Sequence, residues 1–428
     1  MIVAVQPVKR LDGNIVLPAS KSYSIRAFFV AACGGQSQII QPSTCADSLV
    51  ALRVARSLGA KVVRRNKTWV IYAAQLKKIQ TINVGESGTA LRFLLPLLAL
   101  QGNVVTVIGE GTLVGRPNQH LVKLLRSQGV QVKGQGKKES VPIRFSGGKL
   151  RGGRLKINGS LSSQFISALL IACPQLKEDT RLVILGQRMV SADYIVMTEQ
   201  ILRRTGIKIQ RKTARNFFIK GGQKFSGLRN FIVPSDYGLA AFLLAAAALV
   251  PSRLQLRGHL PTDLLQADAR ILGFLKQMGV RFTKTVAGMK ICGPVDLKGG
   301  SFSLEASPDL LPIMAVLALF SRGKTRLRNI GHARVKESDR ISDLRAELLK
   351  IGARIEERRD EIIIHPQPIY RADVLLDPHH DHRLAMAFAV LGLKVPVRIK
   401  DSECVAKSYP DFWKDFRKAG AKFSCHKS

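Results

Sequence analysis

The chain has 428 residues, with 67 lysines and arginines against 30 aspartates and glutamates, a formal net charge of +37. Its 46% apolar and 23% charged content is that of a globular protein of two or three domains, which excludes disordered and fibrous classes. No apolar run reaches the roughly 18 residues of a membrane span, the opening MIVAVQPVKRLDG lacks the parts of a signal peptide, and the six cysteines have no CxxC spacing; a cytoplasmic protein without a disulfide framework, zinc site or cofactor is expected.

A strand is expected at IVAVQP, ahead of a pattern that then repeats six times. The apolar helix SKSYSIRAFFVAA, led by Ser22, precedes the helix end VARSLGAKVV with Gly59 and the strand VIYAA. ESGTALRFLLPLLAL, led by Ser87, precedes LLRSQGVQVK with Gly129 and the strand IRFSG. SSQFISALLIAC (Ser162) precedes ILRRTGIKIQ (Gly206), and SDYGLAAFLLAAAAL (Ser235) precedes FLKQMGVRFT (Gly279). SPDLLPIMAVLALF (Ser307) precedes ELLKIGARIE (Gly352) and the strand EIIIHP; DHRLAMAFAVLGL (Asp381) precedes DFRKAGAKFS (Gly420). The spacing, about 70 residues, is too long for a solenoid. Each glycine follows a basic last turn, where a helix wants a left-handed residue. Helices apolar all round are buried all round. Six α/β units make two domains of three, with the boundary expected at Arg229 to Pro234 and the first strand free to pair with the second domain.

A helix N-terminus offers unpaired N–H groups and partial positive charge, and so attracts anions. The residues at these six starts are suited to that. Lys21, Ser22 and Arg26 cluster in PASKSYSIR, with Ser22 and Arg26 on one helical face. GESGTALR sets Gly85 and Gly88, which permit close backbone approach, beside Ser87, Thr89 and Arg92. Arg116 precedes a helix begun at Pro117, and Ser162, Ser163 and Gln164 supply more polar groups than one cap needs. Ser191 and Tyr194 form a weaker pair. In ARVKESDRI, helical spacing would put Lys336 and Arg340 on one face, with Glu337 between Arg334 and Arg340. Asp309 opens an apolar helix that Ser307 could already cap; Asp381, His382 and Arg383 open another, and Lys407 follows. His379 and His380 raise the question of a metal, but no second His or carboxylate group stands at ligand spacing, and none is expected.

In this order the strings resemble the 5-enolpyruvylshikimate-3-phosphate synthases of the enolpyruvyl transferase family, from PASKSYSIR through VAKSYPDFW and so over nearly the whole chain. The resemblance implies a two-domain inside-out α/β barrel, each domain three copies of a βαβαββ-type unit around buried parallel helices. It implies a first domain over 18–231 and a discontinuous second over 1–17 and 232–428. The implied substrates are shikimate 3-phosphate and phosphoenolpyruvate, handled by a monomer. By position, Lys21, Ser22, Arg26, Ser162, Ser163, Gln164, Ser191, Tyr194, Asp309 and Lys336 match the shikimate 3-phosphate site. Lys21, Gly88, Arg116, Gln164, Arg340, Arg383 and Lys407 match the phosphoenolpyruvate site. Asp309 and Glu337 match the acid/base carboxylates with Lys21 beside them, and His382 a neighbouring site residue. Departures are Glu86 where many members have Asn, Gly238-Leu239 in place of a Ser-Ser pair, and His332 where some members place Asn.

Those residue types suit the chemistry. Two substrates that each carry a carboxylate and a phosphate need several lysines and arginines, with Arg favoured for bidentate pairing. Cations lining an empty cleft repel one another, so ligand anions are expected to draw the two domains together. The related transferase acting on UDP-N-acetylglucosamine is the alternative within the family. Its first motif normally reads Lys-Asn where this chain has Lys21-Ser22, and it usually carries a loop cysteine, whereas none stands between Cys45 and Cys173. A basic nucleic-acid-binding protein is the alternative outside it. The cations are spread along the chain, and the aromatic residues (6%) do not interleave with them as a stacking platform would, so no specific nucleic-acid partner is expected.

Overall fold

The computed structural model describes residues 1–74 and 79–426. The chain divides into two compact units, one of residues 19–233 and one of residues 1–18 with 234–428. Among the described residues each unit holds three four-stranded sheets, and all six share one pairing pattern: a parallel pair, then two antiparallel neighbours. Strand Gly153–Asn158, for example, runs parallel to Thr180–Leu185, which is followed across the sheet by Asn216–Ile219 and Ile209–Thr213.

The physical basis is the alternation of two kinds of helix. The helix between the parallel strands is apolar on every side and is buried, so it sits inside its unit with the sheets outside it. Every residue of Tyr237–Leu249 is buried, as is every residue of Leu311–Leu319 and His382–Gly392. The second helix of each repeat is amphipathic; Gln119–Ser127 buries only Leu121, Val122, Leu124 and Leu125. These helices end at the repeated glycines, which adopt left-handed backbone angles from φ 81° at Gly206 to φ 100° at Gly420. Each unit is thus an inside-out α/β barrel. The repeat is broken only where the chain passes from one unit to the other. Strand Leu11–Val16 leads into helix Lys21–Cys33 but pairs with Ser252–Arg257, and strand Phe231–Ile232 leads into Tyr237–Leu249 but pairs with Gln36–Ile40. The first strand, Ile2–Gln6, joins the sheet of Val397–Ile399 and Lys422–His426.

Several local expectations are corrected. Ser20, not Ser22, caps the first buried helix, because the extended backbone needed at a cap lies at residue 20 and its hydroxyl accepts from the Tyr23 N–H. Asp236, not Ser235, caps Tyr237–Leu249; the Ser235 hydroxyl accepts from the His259 N–H instead. Ser307 makes no side-chain cap, since its helix is entered through a tight turn, Pro308–Leu310. The helix after Arg116 begins at Gln119. The helical reading of Ala333 to Ile341 fails most clearly: a 3₁₀ turn ends at Val335, Lys336 has ψ −145°, and helix begins only at Ser342. Lys336 and Arg340 do meet, but on a shared carboxylate rather than on a helix face. No described helix is long and apolar enough to cross a membrane.

Candidate functional site

Two buried-helix entrances and one irregular stretch in the unit containing 234–428 bring their polar residues to one place. Asp309 sits in the tight turn Pro308–Leu310 ahead of Leu311–Leu319. Asp381 caps His382–Gly392 by accepting from the Arg383 N–H at 2.9 Å, which fixes the start of the segment bearing His382 and Arg383. Arg340 arrives from the irregular stretch after Val335 and is only 1% exposed. Its guanidinium links all three carboxylates: Nη1 to Asp309 Oδ1 at 2.7 Å, Nη2 to Glu337 Oε2 at 2.7 Å and Nε to Asp381 Oδ2 at 2.6 Å. A buried guanidinium is tolerated only when paired this fully.

Asp309 collects further cations. Arg383 Nη2 is 2.9 Å from Asp309 Oδ2 and Lys336 Nζ 3.5 Å from Oδ1, while Arg383 Nη1 donates to the Asp309 carbonyl at 3.3 Å. Burial alone would raise the Asp309 pKa, but Arg383, Lys336 and Arg340 outweigh it and hold the carboxyl well below the usual range, with Glu337 opposing them. Burial likewise disfavours the Arg340 cation, yet Asp381, Glu337 and Asp309 hold its pKa well above the ordinary value. The cluster therefore contains an ionised carboxylate, a second carboxylate beside it, and cations that could turn to an anion. Lys407 ends the turn Ser402–Lys407, which packs against His382–Gly392.

Sequence reasoning missed a fourth acid here. Asp268 Oδ2 lies 3.8 Å from Arg383 Nη2, and a Cβ at position 238 would meet that same Asp268 oxygen at 2.4 Å. Gly238, noted above only as a departure, makes room for this carboxylate.

The unit containing 19–233 carries the other candidates in two groups. In the first, Arg26 is buried on helix Lys21–Cys33 and donates to Thr198 Oγ1 at 2.9 Å, the Tyr194 carbonyl at 3.0 Å and the Ser22 carbonyl at 3.0 Å. It thereby braces that helix to Ala192–Arg204, with its guanidinium 5.8 Å from the centre of the Tyr194 ring. Burial lowers its pKa to about 10, against the influence of Tyr23 and Tyr194. Ser191, left-handed at φ 56°, leads Ala192–Arg204 and accepts from the Tyr194 N–H at 3.1 Å. Lys21 Nζ pairs with Asp47 Oδ2 at 3.0 Å. Asp47, buried at the start of Ala46–Ser57, gave no signal in the sequence beyond its position in a first helical turn.

In the second group, Ser162 caps Ser163–Ala172 by accepting from the Gln164 N–H. The Gln164 side chain is fixed at both ends, its oxygen accepting from Arg92 Nη1 and its nitrogen donating to Thr89 Oγ1 at 2.9 Å. Buried Arg92 also donates to the Pro117 carbonyl at 3.1 Å and to Asn118 Oδ1 at 3.3 Å, so it ties Gln164 to the segment bearing Arg116. Arg116 lies over Gly88, where an added Cβ would stand 3.1 Å from the guanidinium carbon. Glu86 accepts from the Thr112 hydroxyl at 2.7 Å and so anchors the loop leading to Arg116. Arg92 was visible in GESGTALR, but nothing in the sequence marked it as the residue that positions Gln164. Among the described residues no group of three or more His, Cys, Asp or Glu could hold a metal ion.

Comparison with known proteins agrees on one family. The family model described as EPSP synthase (3-phosphoshikimate 1-carboxyvinyltransferase) matches residues 5–416. A 3-phosphoshikimate 1-carboxyvinyltransferase of Methanosarcina mazei is 36% identical over 421 residues, covering 96% of each chain. One of Clostridium beijerinckii is 34% identical over 426 residues, covering 97% of this chain and 96% of that one. Among solved structures, an EPSP synthase from Acinetobacter baumannii superposes with a TM-score of 0.80 at 27% identity, covering 99% of this chain and 100% of the other. The enolpyruvyl transferase NikO from Streptomyces tendae also reaches a TM-score of 0.80, over 99% of this chain and 98% of its own, but at 18% identity it speaks for the fold alone.

Proposed function

Because the chain belongs to the EPSP synthase family, we propose that it transfers the enolpyruvyl group of phosphoenolpyruvate to the 5-hydroxyl of shikimate 3-phosphate, releasing phosphate. The observation that carries this reading is the cluster in which Asp309 meets Arg340, Arg383 and Lys336 beside Glu337. It combines anion-binding cations with two carboxylates able to move protons, which an addition–elimination requires. The acceptor hydroxyl attacks C2 of phosphoenolpyruvate while C3 gains a proton, giving a tetrahedral ketal. Loss of a C3 proton and of phosphate then forms the enol ether. Asp309 takes the hydroxyl proton and Glu337 serves C3, with Lys21 available to either step.

Binding roles follow the family positions: Lys21, Ser22, Arg26, Ser162, Ser163, Gln164, Ser191, Tyr194, Asp309 and Lys336 for shikimate 3-phosphate, and Lys21, Gly88, Arg116, Gln164, Arg340, Arg383 and Lys407 for phosphoenolpyruvate, with His382 nearby. A phosphate-release assay tests the reading. Release should require both substrates, and replacing shikimate 3-phosphate with UDP-N-acetylglucosamine should abolish it. Release from phosphoenolpyruvate alone, or none with the pair, refutes it.

Gly88 offers a narrower test. The methyl group of Gly88→Ala would press on the Arg116 guanidinium and move it by a few tenths of an ångström. KM for phosphoenolpyruvate should rise roughly three- to tenfold while KM for shikimate 3-phosphate stays nearly constant. Equal changes in both would separate Arg116 from the phosphoenolpyruvate site.

A further inference from the structure

The turn that delivers helix His382–Gly392 holds two successive histidines in the left-handed region. His379 and His380 have φ 50° and 57°, and Asp401 on a neighbouring turn has φ 45°. Non-glycine residues are uncommon there, though asparagine, aspartate and histidine tolerate it best, and two in succession are held by contacts of their side chains. His379 Nε2 is 3.2 Å from Glu347 Oε1, and His380 Nδ1 is 2.7 Å from Asp401 Oδ2. Glu347 is buried on Ser342–Lys350, the helix that follows Arg340, and also accepts from the Asp377 N–H at 2.7 Å. Asp401 leads the turn Ser402–Lys407, which ends at Lys407. The two imidazoles thus connect the segment bearing Arg383 with those bearing Arg340 and Lys407.

We propose that His379 and His380 are positioning residues, a pair of clamps that set Arg383 and Lys407 for the phosphoenolpyruvate anion and tighten on protonation. The proposal rests on the assignment of Arg383 and Lys407 to phosphoenolpyruvate made above. An imidazolium facing a carboxylate is an ion pair, whereas a neutral imidazole keeps at most an ordinary hydrogen bond. Around His379 the charged groups are Glu347, Asp343 and Asp377, partly offset by Lys350 on Glu347 and Lys400 on Asp377. Around His380 they are Asp401 and Glu403, with Lys400 acting on Asp401 and the Met1 amine paired with Glu403. Histidine is the side chain that ordinarily changes charge between pH 5 and 8, and an ion pair exists only while the ring is charged.

The test compares the parent with His379→Asn/His380→Gly, whose new residues accept left-handed angles and so keep the turn. KM for phosphoenolpyruvate is measured from pH 5.5 to 8.5; ionisation of the substrate is common to both proteins and cancels in the ratio. The variant-to-parent KM ratio should be about fivefold at pH 6 and close to one at pH 8.5, with kcat nearly unchanged. Asp401→Asn, which leaves both histidines in place, should reproduce part of this slope. A ratio independent of pH overturns the proposal. Should the parent release no phosphate from the two substrates, the functional reading fails, and thermal unfolding still decides the clamp. The Tm difference must then shift in favour of the parent on going from pH 8.5 to pH 6, and a constant difference overturns it.

Discussion

Asp309→Asn and Glu337→Gln are each expected to lower kcat by about two or more orders of magnitude, the usual scale for a lost general acid or base. For Asp309 the two kinetic constants should separate. In the free protein its carboxylate is engaged by Arg340, Arg383 and Lys336. Substrate anions must compete with it for those cations, so the amide variant, freed of that competitor, should keep or lower its KM for phosphoenolpyruvate while kcat falls. The same competition adjusts its basicity. A carboxylate held far below its usual pKa by three cations is a poor proton acceptor. When those cations turn to phosphate and carboxylate groups of the ligands, the depression lifts and Asp309 becomes a better base as the complex forms. The acid limb of kcat should accordingly lie at higher pH than that of kcat/KM in the parent, and Asp309→Asn should remove this offset. Its stability contribution has the sign of a depressed acid: intact above the unfolded value near 3.9 and lost only as pH falls below it. Near-parental turnover in both variants would end the acid/base assignment.

The fold was legible because its signals are local and repeated. A basic turn followed by glycine, then a short strand, recurs six times, and the glycines are left-handed for the reason the pattern suggested. Buried helices could be recognised by apolarity alone. Legibility ended where a side chain's partner is distant in the chain. Arg92 and Gln164 are 72 residues apart, and Arg340 and Asp381 are 41 apart. Nothing in either local string says which carboxylate or amide will be met. Lys336 and Arg340 show the opposite error: four-residue spacing suggested a helix, but the chain is irregular there and both side chains turn to Asp309. Gly238 was noted without its reason, since the carboxylate that fills its space belongs to Asp268.

Arg340→Met should be the most destabilising single change in the unit that contains it. Methionine fills similar space, but Asp381, wholly buried, and Glu337 each lose the guanidinium that pairs them. Removing one partner of a buried ion pair commonly costs about 3–5 kcal/mol, because the remaining charge is left in a medium of low polarity. For a unit of this size that corresponds to a fall in Tm of roughly 6–20 °C. Asp309 loses less, since Arg383 and Lys336 remain beside it. The pH dependence identifies the cause. In the parent, Arg340 favours ionised carboxylates; in the variant, burial without it disfavours their charged forms. An unpartnered buried carboxylate is tolerated better once protonated, so the deficit against the parent should shrink between pH 7 and pH 5. Asp381→Asn added to Arg340→Met removes the worst stranded charge and should restore part of the loss at pH 7, although alone it destabilises the parent. A deficit of the same size at both pH values, with no recovery in the double variant, would mean that Arg340 acts through packing of its stem and not by holding three carboxylates ionised.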